Sequence, residues 1–359
     1  MPLTEEWWNP YRLLPVESNK NTVKGKTLEK FSNNTFTGTI EAELTNKTLF
    51  FVGENEKKND KSLFLFNESN NIYIAGTSLK GMFRSLAEYL EKDPPVVGIT
   101  KHEINNIQEI PLTFNMFGVM KNKVLKGKVS FSDGKTNEKI KVNTQSKYIL
   151  VGKPKDTHKA FYTNSNLRKF YFHTGVAKLN STNQNANNQS NKEIKPLEAG
   201  VTFKFNVYFE NLSEKELNLL LYCLALENNL EERIIGNGKG SFKVKGDMCH
   251  KLGRAKAYGL GTVKVKINSL KLLPEKPQNR YQSYKEDQSK IYQGEELDKF
   301  IKEKTKTYTN DKSEHMENLR KMMIFDPENK TPFIYPDYNW FKNGETDGKK
   351  NSQIPLKKI

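Results

Sequence analysis

Residues 72–90, Ile-Tyr-Ile-Ala-Gly-Thr-Ser-Leu-Lys-Gly-Met-Phe-Arg-Ser-Leu-Ala-Glu-Tyr-Leu, constrain the fold more than any other stretch. A short apolar run, Ile72 to Ile74, passes through Gly76 into Thr77 or Ser78, either of which can cap a helix. Beyond it Leu79, Met82, Phe83, Leu86 and Leu90 recur at helical spacing and make one apolar stripe. Lys80 and Arg84 stand four apart on another side, within reach of the N-terminal turn. A helix start carries free N–H groups and partial positive charge, so this one is expected to seat a phosphate.

The same strand–helix alternation appears twice. Thr35 to Leu44 alternates, with Phe36, Ile40, Ala42 and Leu44 on one face, and leads to the helix above. Lys126 to Phe131 is a further strand, ended by the turn pair Asp133-Gly134. Phe203, Phe205, Val207 and Phe209 then alternate, and Ser213-Glu-Lys-Glu216 is a capping box ahead of Leu217, Leu220, Leu221 and Leu224. Val263, Val265 and Ile267 close the series as a last strand. Strand–helix–strand, insertion, strand–helix–strand predicts an α+β fold: a ferredoxin-like or RRM-like antiparallel sheet with two helices on one face. The expected limits are an N-terminal arm over 1–34, the RRM-like domain over 35–274 and a C-terminal extension over 275–359. Within that domain a thumb-like insertion is expected over about 135–197, where periodicity lapses.

Lys plus Arg number 58 against 42 Asp plus Glu, a net charge of +16, which favours a polyanionic partner. Cys223 and Cys249 form neither a disulfide framework nor a zinc pattern, and no signal peptide or apolar span is present; a cytoplasmic protein without membrane attachment is expected. Gly25-Lys26-Thr27 and Gly238-Lys239 both fail the spacing of a nucleotide-binding P-loop, and the five histidines show no metal-binding pair. The second unusual segment is His250-Lys-Leu-Gly-Arg-Ala-Lys-Ala-Tyr-Gly-Leu-Gly261. Its glycines let backbone approach a ligand, Lys251, Arg254 and Lys256 supply charge, and Tyr258 is suited to stack on a base or sugar.

Taken together, four blocks resemble the RAMP superfamily, the RRM-like subunits of type III CRISPR effector complexes. They are the 72–90 motif, Met116-Phe-Gly118 with Gly127 to Asp133, Leu197 to Phe205 with Asn211 to Leu217, and the Gly-rich loop. The resemblance implies a backbone subunit stacked along a guide RNA (crRNA) and facing a complementary target RNA, beside other effector subunits and copies of itself. It implies RNA contacts from Thr77, Ser78, Lys80 and Arg84 and from Lys251, Arg254, Lys256 and Tyr258. Some members cut the target with an Asp in the loop before the Gly-Thr-Ser segment and a divalent metal such as Mg²⁺. Asp60 is the Asp of that loop here and so the expected catalytic and metal-binding residue; Ala75 stands where the family usually has Pro. The alternative is a structural or capping RAMP subunit without catalysis.

Overall fold

The computed structural model describes residues 9–16, 22–23, 35–53, 71–94, 110–120, 124–138, 140, 148–149, 167–173, 193–194, 196–235, 240–274, 289–329, 331, 333, 343–346 and 348–353. The elements that matter for the site are, in the N-terminal half, β1 (Tyr11–Pro15), β2 (Phe36–Asn46), β3 (Tyr73–Ile74), α1 (Gly76–Leu90), α2 (Leu112–Phe117), β4 (Val129–Phe131), β5 (Gly134–Lys135) and β6 (Leu167–Tyr171). The C-terminal half supplies β7 (Thr202–Leu212), α3 (Glu214–Ala225), β8 (Leu230–Ile235), β9 (Ser241–Met248), β10 (His250–Lys251), β11 (Thr262–Leu272), β12 (Lys290–Gln293), α4 (Gly294–Lys304), α5 (Lys306–Thr309), α6 (Glu314–Met323) and β13 (Ile324–Phe325).

The central sheet is antiparallel, ordered β11-β2-β7, with β4 and then β5-β3 beyond β7. Numbering only the four core strands in chain order, this is the 4-1-3-2 arrangement of the ferredoxin-like plan. Register places Val207 and Leu270 on either side of Ile40, and Phe203 and Val265 on either side of Leu44. One face is therefore continuous and apolar, and α1 and α3 cover it. From α3, Leu217, Leu220, Leu221 and Leu224 are wholly buried, each worth about 1.5–3 kcal/mol of transfer free energy. From α1, Leu79, Phe83 and Leu86 are buried, and Phe83 stacks on Phe131 at 5.3 Å between ring centroids. The opposite face carries Glu41, Lys204, Tyr208 and Lys266.

The capping box forms as the sequence indicates, and its Glu216 does more besides. The carboxylate accepts from Ser213 N and Oγ, from Asn115 Nδ2 at 2.7 Å and from the buried Lys128 ammonium at 2.7 and 2.8 Å. It thus ties α3 to α2 and to the start of β4.

The N- and C-terminal segments build on this sheet. β1 pairs with β6, so the arm meets the middle of the stretch expected as an insertion. β12 adds to the outer edge of β11, and α6 packs on β1, β6, β8 and β9. Arg320 of α6 donates to Glu227 and to the carbonyls of Tyr308 and Asp311. No helix among the described residues is long and apolar enough to cross a membrane.

Candidate functional site

The start of α1 differs from its expected form. Ala75, not Thr77 or Ser78, is the N-cap, and no side chain of the segment caps the helix. The Asp133 carboxylate does so from just before the neighbouring strand β5, accepting the Gly76 N–H at 2.7 Å. A carboxylate placed there already takes the stabilisation that a helix N-terminus offers an anion. Gly76 is required by the same closeness: a Cβ on it would lie 2.3 Å from the Phe131 carbonyl oxygen. Thr77 is exposed, while Ser78 faces a pocket.

The two cations of α1 are placed differently from one another. Arg84 donates to Glu88 Oε1 at 2.8 Å and to the Gly118 carbonyl at 2.8 Å, and lies 5.5 Å above the Phe114 ring. Its guanidinium locks α1 to α2. Lys80 is half-buried, and burial, with Arg84 nearby, lowers its pKa; it does not line the pocket.

That pocket, about 450 Å³, brings the two segments singled out in the sequence face to face. Ser78, Gly81 and Ser85 of α1 form one wall, and Lys251, Arg254 and Lys256 of the Gly-rich loop form the opposite one. A third wall comes from β6 through Lys169 and from His173 just after it. Four cations converge, and among the described residues no carboxylate lines the space.

The loop is shaped by contacts with its own chain. Gly253 (φ +89°) and Gly261 (φ +79°) leave no room for a Cβ, which would sit 2.3 Å from the Phe51 carbonyl oxygen and 2.0 Å from that of Leu252. These glycines admit neighbouring backbone, whereas the sequence suggested a ligand. Tyr258, expected as a stacking platform, is 9% exposed and packs with Phe51 and Leu260; burial pushes its hydroxyl up to about 12. Lys251, Arg254 and Lys256 are partly buried and line the pocket. Lys251 Nζ donates to the Gly259 and Leu260 carbonyls at 3.1 and 3.0 Å, which fixes its position.

Crowding and burial disturb every titratable group of the pocket that shifts. Burial first, and Lys256 second, bring Lys251 down to about 7. The same two causes bring Lys169 down to about 8, and burial lowers Lys256. Lys169 is also held between aromatic rings, its Nζ 3.7 Å from the Tyr11 centroid and 5.0 Å from that of Tyr171. His250 lies edge-on to Phe83 at 5.1 Å; burial, and then Lys264, outweigh a hydrogen bond with the Cys223 backbone and bring it down to about 3. His173 Nδ1 lies 3.2 Å from Thr262 Oγ1, and burial with Lys251 and His250 close by lowers its pKa. Both imidazoles are neutral at pH 7. Ammonium groups gathered in this small space repel one another, which an entering anion relieves.

Sequence reasoning missed Lys169 and His173. Both belong to the run Leu167–His173, whose alternation around Phe170 and Phe172 was the available signal. Asp60 lies outside the described residues. Among the described residues no group of three or more His, Cys, Asp or Glu side chains could hold a metal ion, so no step through a metal is derived.

A family model described as the RAMP superfamily matches residues 34–243 of this sequence. This chain belongs to the RAMP superfamily. The matched span of the RAMP chain runs from β2 into β9 and contains α1 and Lys169; the Gly-rich loop follows it. No curated protein sequence matches the chain. The solved structures similar to it include these two. One, "Type IV-B CRISPR Complex", is 14% identical with a TM-score of 0.35, covering 64% of this chain and 90% of that one. The other, "Cryo-EM structure of the Type III-B Cmr-beta bound to cognate target RNA", is 13% identical with a TM-score of 0.33, covering 67% of this chain and 62% of that one, under two thirds of its length.

Proposed function

We propose that this RAMP protein is a guide-RNA-binding backbone subunit of a CRISPR effector complex, of the type III kind its motifs resemble. The observation that carries the reading is the pocket in which α1 meets the Gly-rich loop, with Lys169, Lys251, Arg254 and Lys256 converging and no carboxylate among the described lining residues. Such a concentration of cations attracts a phosphodiester backbone, and the +16 net charge steers it there. Ser78 and Ser85 add hydroxyl donors on the α1 wall. Partner subunits and a paired target strand belong to the same reading.

The test is single-stranded RNA binding, followed by fluorescence anisotropy over a salt series. Each phosphate contact contributes about −0.7 to the slope of log K against log salt for a single strand. Lys256→Ala is expected to weaken binding across unrelated sequences and to make the slope shallower by about 0.7. Gly81 offers a second probe, because nothing lies within 4 Å of a Cβ added to it. Gly81→Glu adds a carboxylate to the α1 wall without a clash and is expected to lower affinity more than tenfold. Wild-type slope and affinity in both variants would refute the assignment.

A further inference from the structure

The pocket has a property beyond positive charge: its amines are crowded rather than paired. Lys251 lies beside Lys256 and Cys249, and shares the lining with Arg254 from its own loop, Lys169 from β6, His250 and His173. The α1 wall adds only uncharged groups and α6 adds Met323. Asp247, the acid that bears on Cys249, lies 3.5 Å from Lys264 and does not line the space. His250 is 2% exposed and lines the pocket, yet its Nε2 has no hydrogen-bond partner. A buried polar atom left unpaired in this way costs free energy until a ligand or water reaches it.

We propose, resting on the reading of this pocket as an RNA site, that it seats a phosphate group of the strand and takes up a proton from solvent in doing so, with the Lys251 amine as the main acceptor. Without the anion, a further ammonium beside Lys256 is opposed by loss of hydration and by repulsion. With phosphate present the repulsion becomes attraction, and the amine nitrogen accepts a proton to become a third ammonium around the anion. The carbonyls of Gly259 and Leu260 already face that nitrogen and receive two of its hydrogens, leaving the third for a phosphate oxygen. Binding and protonation are thereby linked, and affinity falls as pH rises through the neutral range.

The experiment uses the 359-residue chain and a 5′-hydroxyl single-stranded RNA, whose phosphodiesters do not titrate near neutrality. Anisotropy titrations run from about pH 6.5 to about 8.5 at fixed ionic strength. Calorimetry at about pH 7.5, in buffers of different ionisation enthalpy, counts protons taken up. Wild type is expected to bind about tenfold more weakly at pH 8.5 than at 6.5 and to take up a sizeable fraction of a proton on binding. Lys251→Arg keeps its charge throughout this range, so its readout is a flattened pH slope and a reduced proton count, whatever its absolute affinity. Lys169→Arg, checked by circular dichroism for intact fold, is expected to flatten the slope less. RNA binding with no proton uptake and no slope, or with a slope unchanged in Lys251→Arg, would overturn the proton linkage while leaving the RNA reading intact. No RNA binding at any pH would overturn the RNA reading itself. Inorganic phosphate competing as effectively as RNA, phosphate for phosphate, would reassign the pocket to a free anion and overturn the strand assignment.

Discussion

Lys251 makes a second, independent claim on the protein without RNA, because a displaced pKa is also a statement about stability. In the unfolded chain this amine titrates at its ordinary 10.5, while in the folded chain it titrates at about 7. Below pH 7 both states hold the proton, and folding bears the full cost of a crowded, dehydrated ammonium. Between 7 and 10.5 the unfolded chain still holds the proton and the folded chain sheds it, so stability rises with pH across that window. From pH 7 to pH 9 the difference in bound protons grows from about one half to about one, which at 1.36 kcal/mol per unit amounts to about 2 kcal/mol. Lys251→Met removes this dependence. Its absolute effect also includes two lost hydrogen bonds to carbonyls, but carbonyls do not titrate, so the pH dependence isolates the amine. Urea unfolding of wild type and variant at pH 7 and 9 measures it. The variant is expected to gain about 2 kcal/mol relative to wild type at pH 7 compared with pH 9, somewhat less if Lys256 relaxes when its neighbour is removed. Parallel profiles for the two proteins would refute the reasoning and show that solvent reaches Lys251 freely.

The buried Lys128–Glu216 pair, with side chains 3% and 2% exposed, is expected to be strongly cooperative. Lys128→Met leaves a buried carboxylate short of its counter-charge and should cost about 3–5 kcal/mol in urea unfolding, whereas adding Glu216→Gln should recover part of that loss; a single variant within about 1 kcal/mol of wild type would sink the idea. For Asp60, the assembled complex with guide, complementary target and Mg²⁺ decides between the cutting and the structural readings: cutting by wild type that is lost in Asp60→Ala while guide binding persists assigns Asp60 the catalytic role. Equal cutting by the two proteins would remove Asp60 from any catalytic role, and no cutting by wild type would favour the structural reading.

The parts of this fold legible in the sequence are those in which burial repeats locally. Phe203, Phe205, Val207 and Phe209 alternate because successive residues of a strand point to opposite faces, and the structure buries all four. Leu217 to Leu224 follows the helical period for the same kind of reason, and Ser213 with Glu216 closes its box within four residues. Function-bearing side chains obey no such local rule, since their partners come from distant parts of the chain. Thr77 and Ser78 have the chemistry of caps, yet the Gly76 N–H is satisfied by Asp133, 57 residues on. Arg84 has the chemistry of a phosphate ligand, yet the Gly118 carbonyl, 34 residues on, accepts from it. Tyr258 has the chemistry of a stacking platform, yet Phe51 and Leu260 cover it. In each case the residue's type is legible in the sequence and the group that engages it is not, because that group is brought by the tertiary fold. Lys251, Arg254 and Lys256 are legible as cations in the sequence, but their convergence with Lys169 is visible only in the fold, where all four line one pocket with no described carboxylate and a neutral buried imidazole. What marks this site among the described residues is therefore cations without a lining carboxylate, the feature on which the proposed anion site rests.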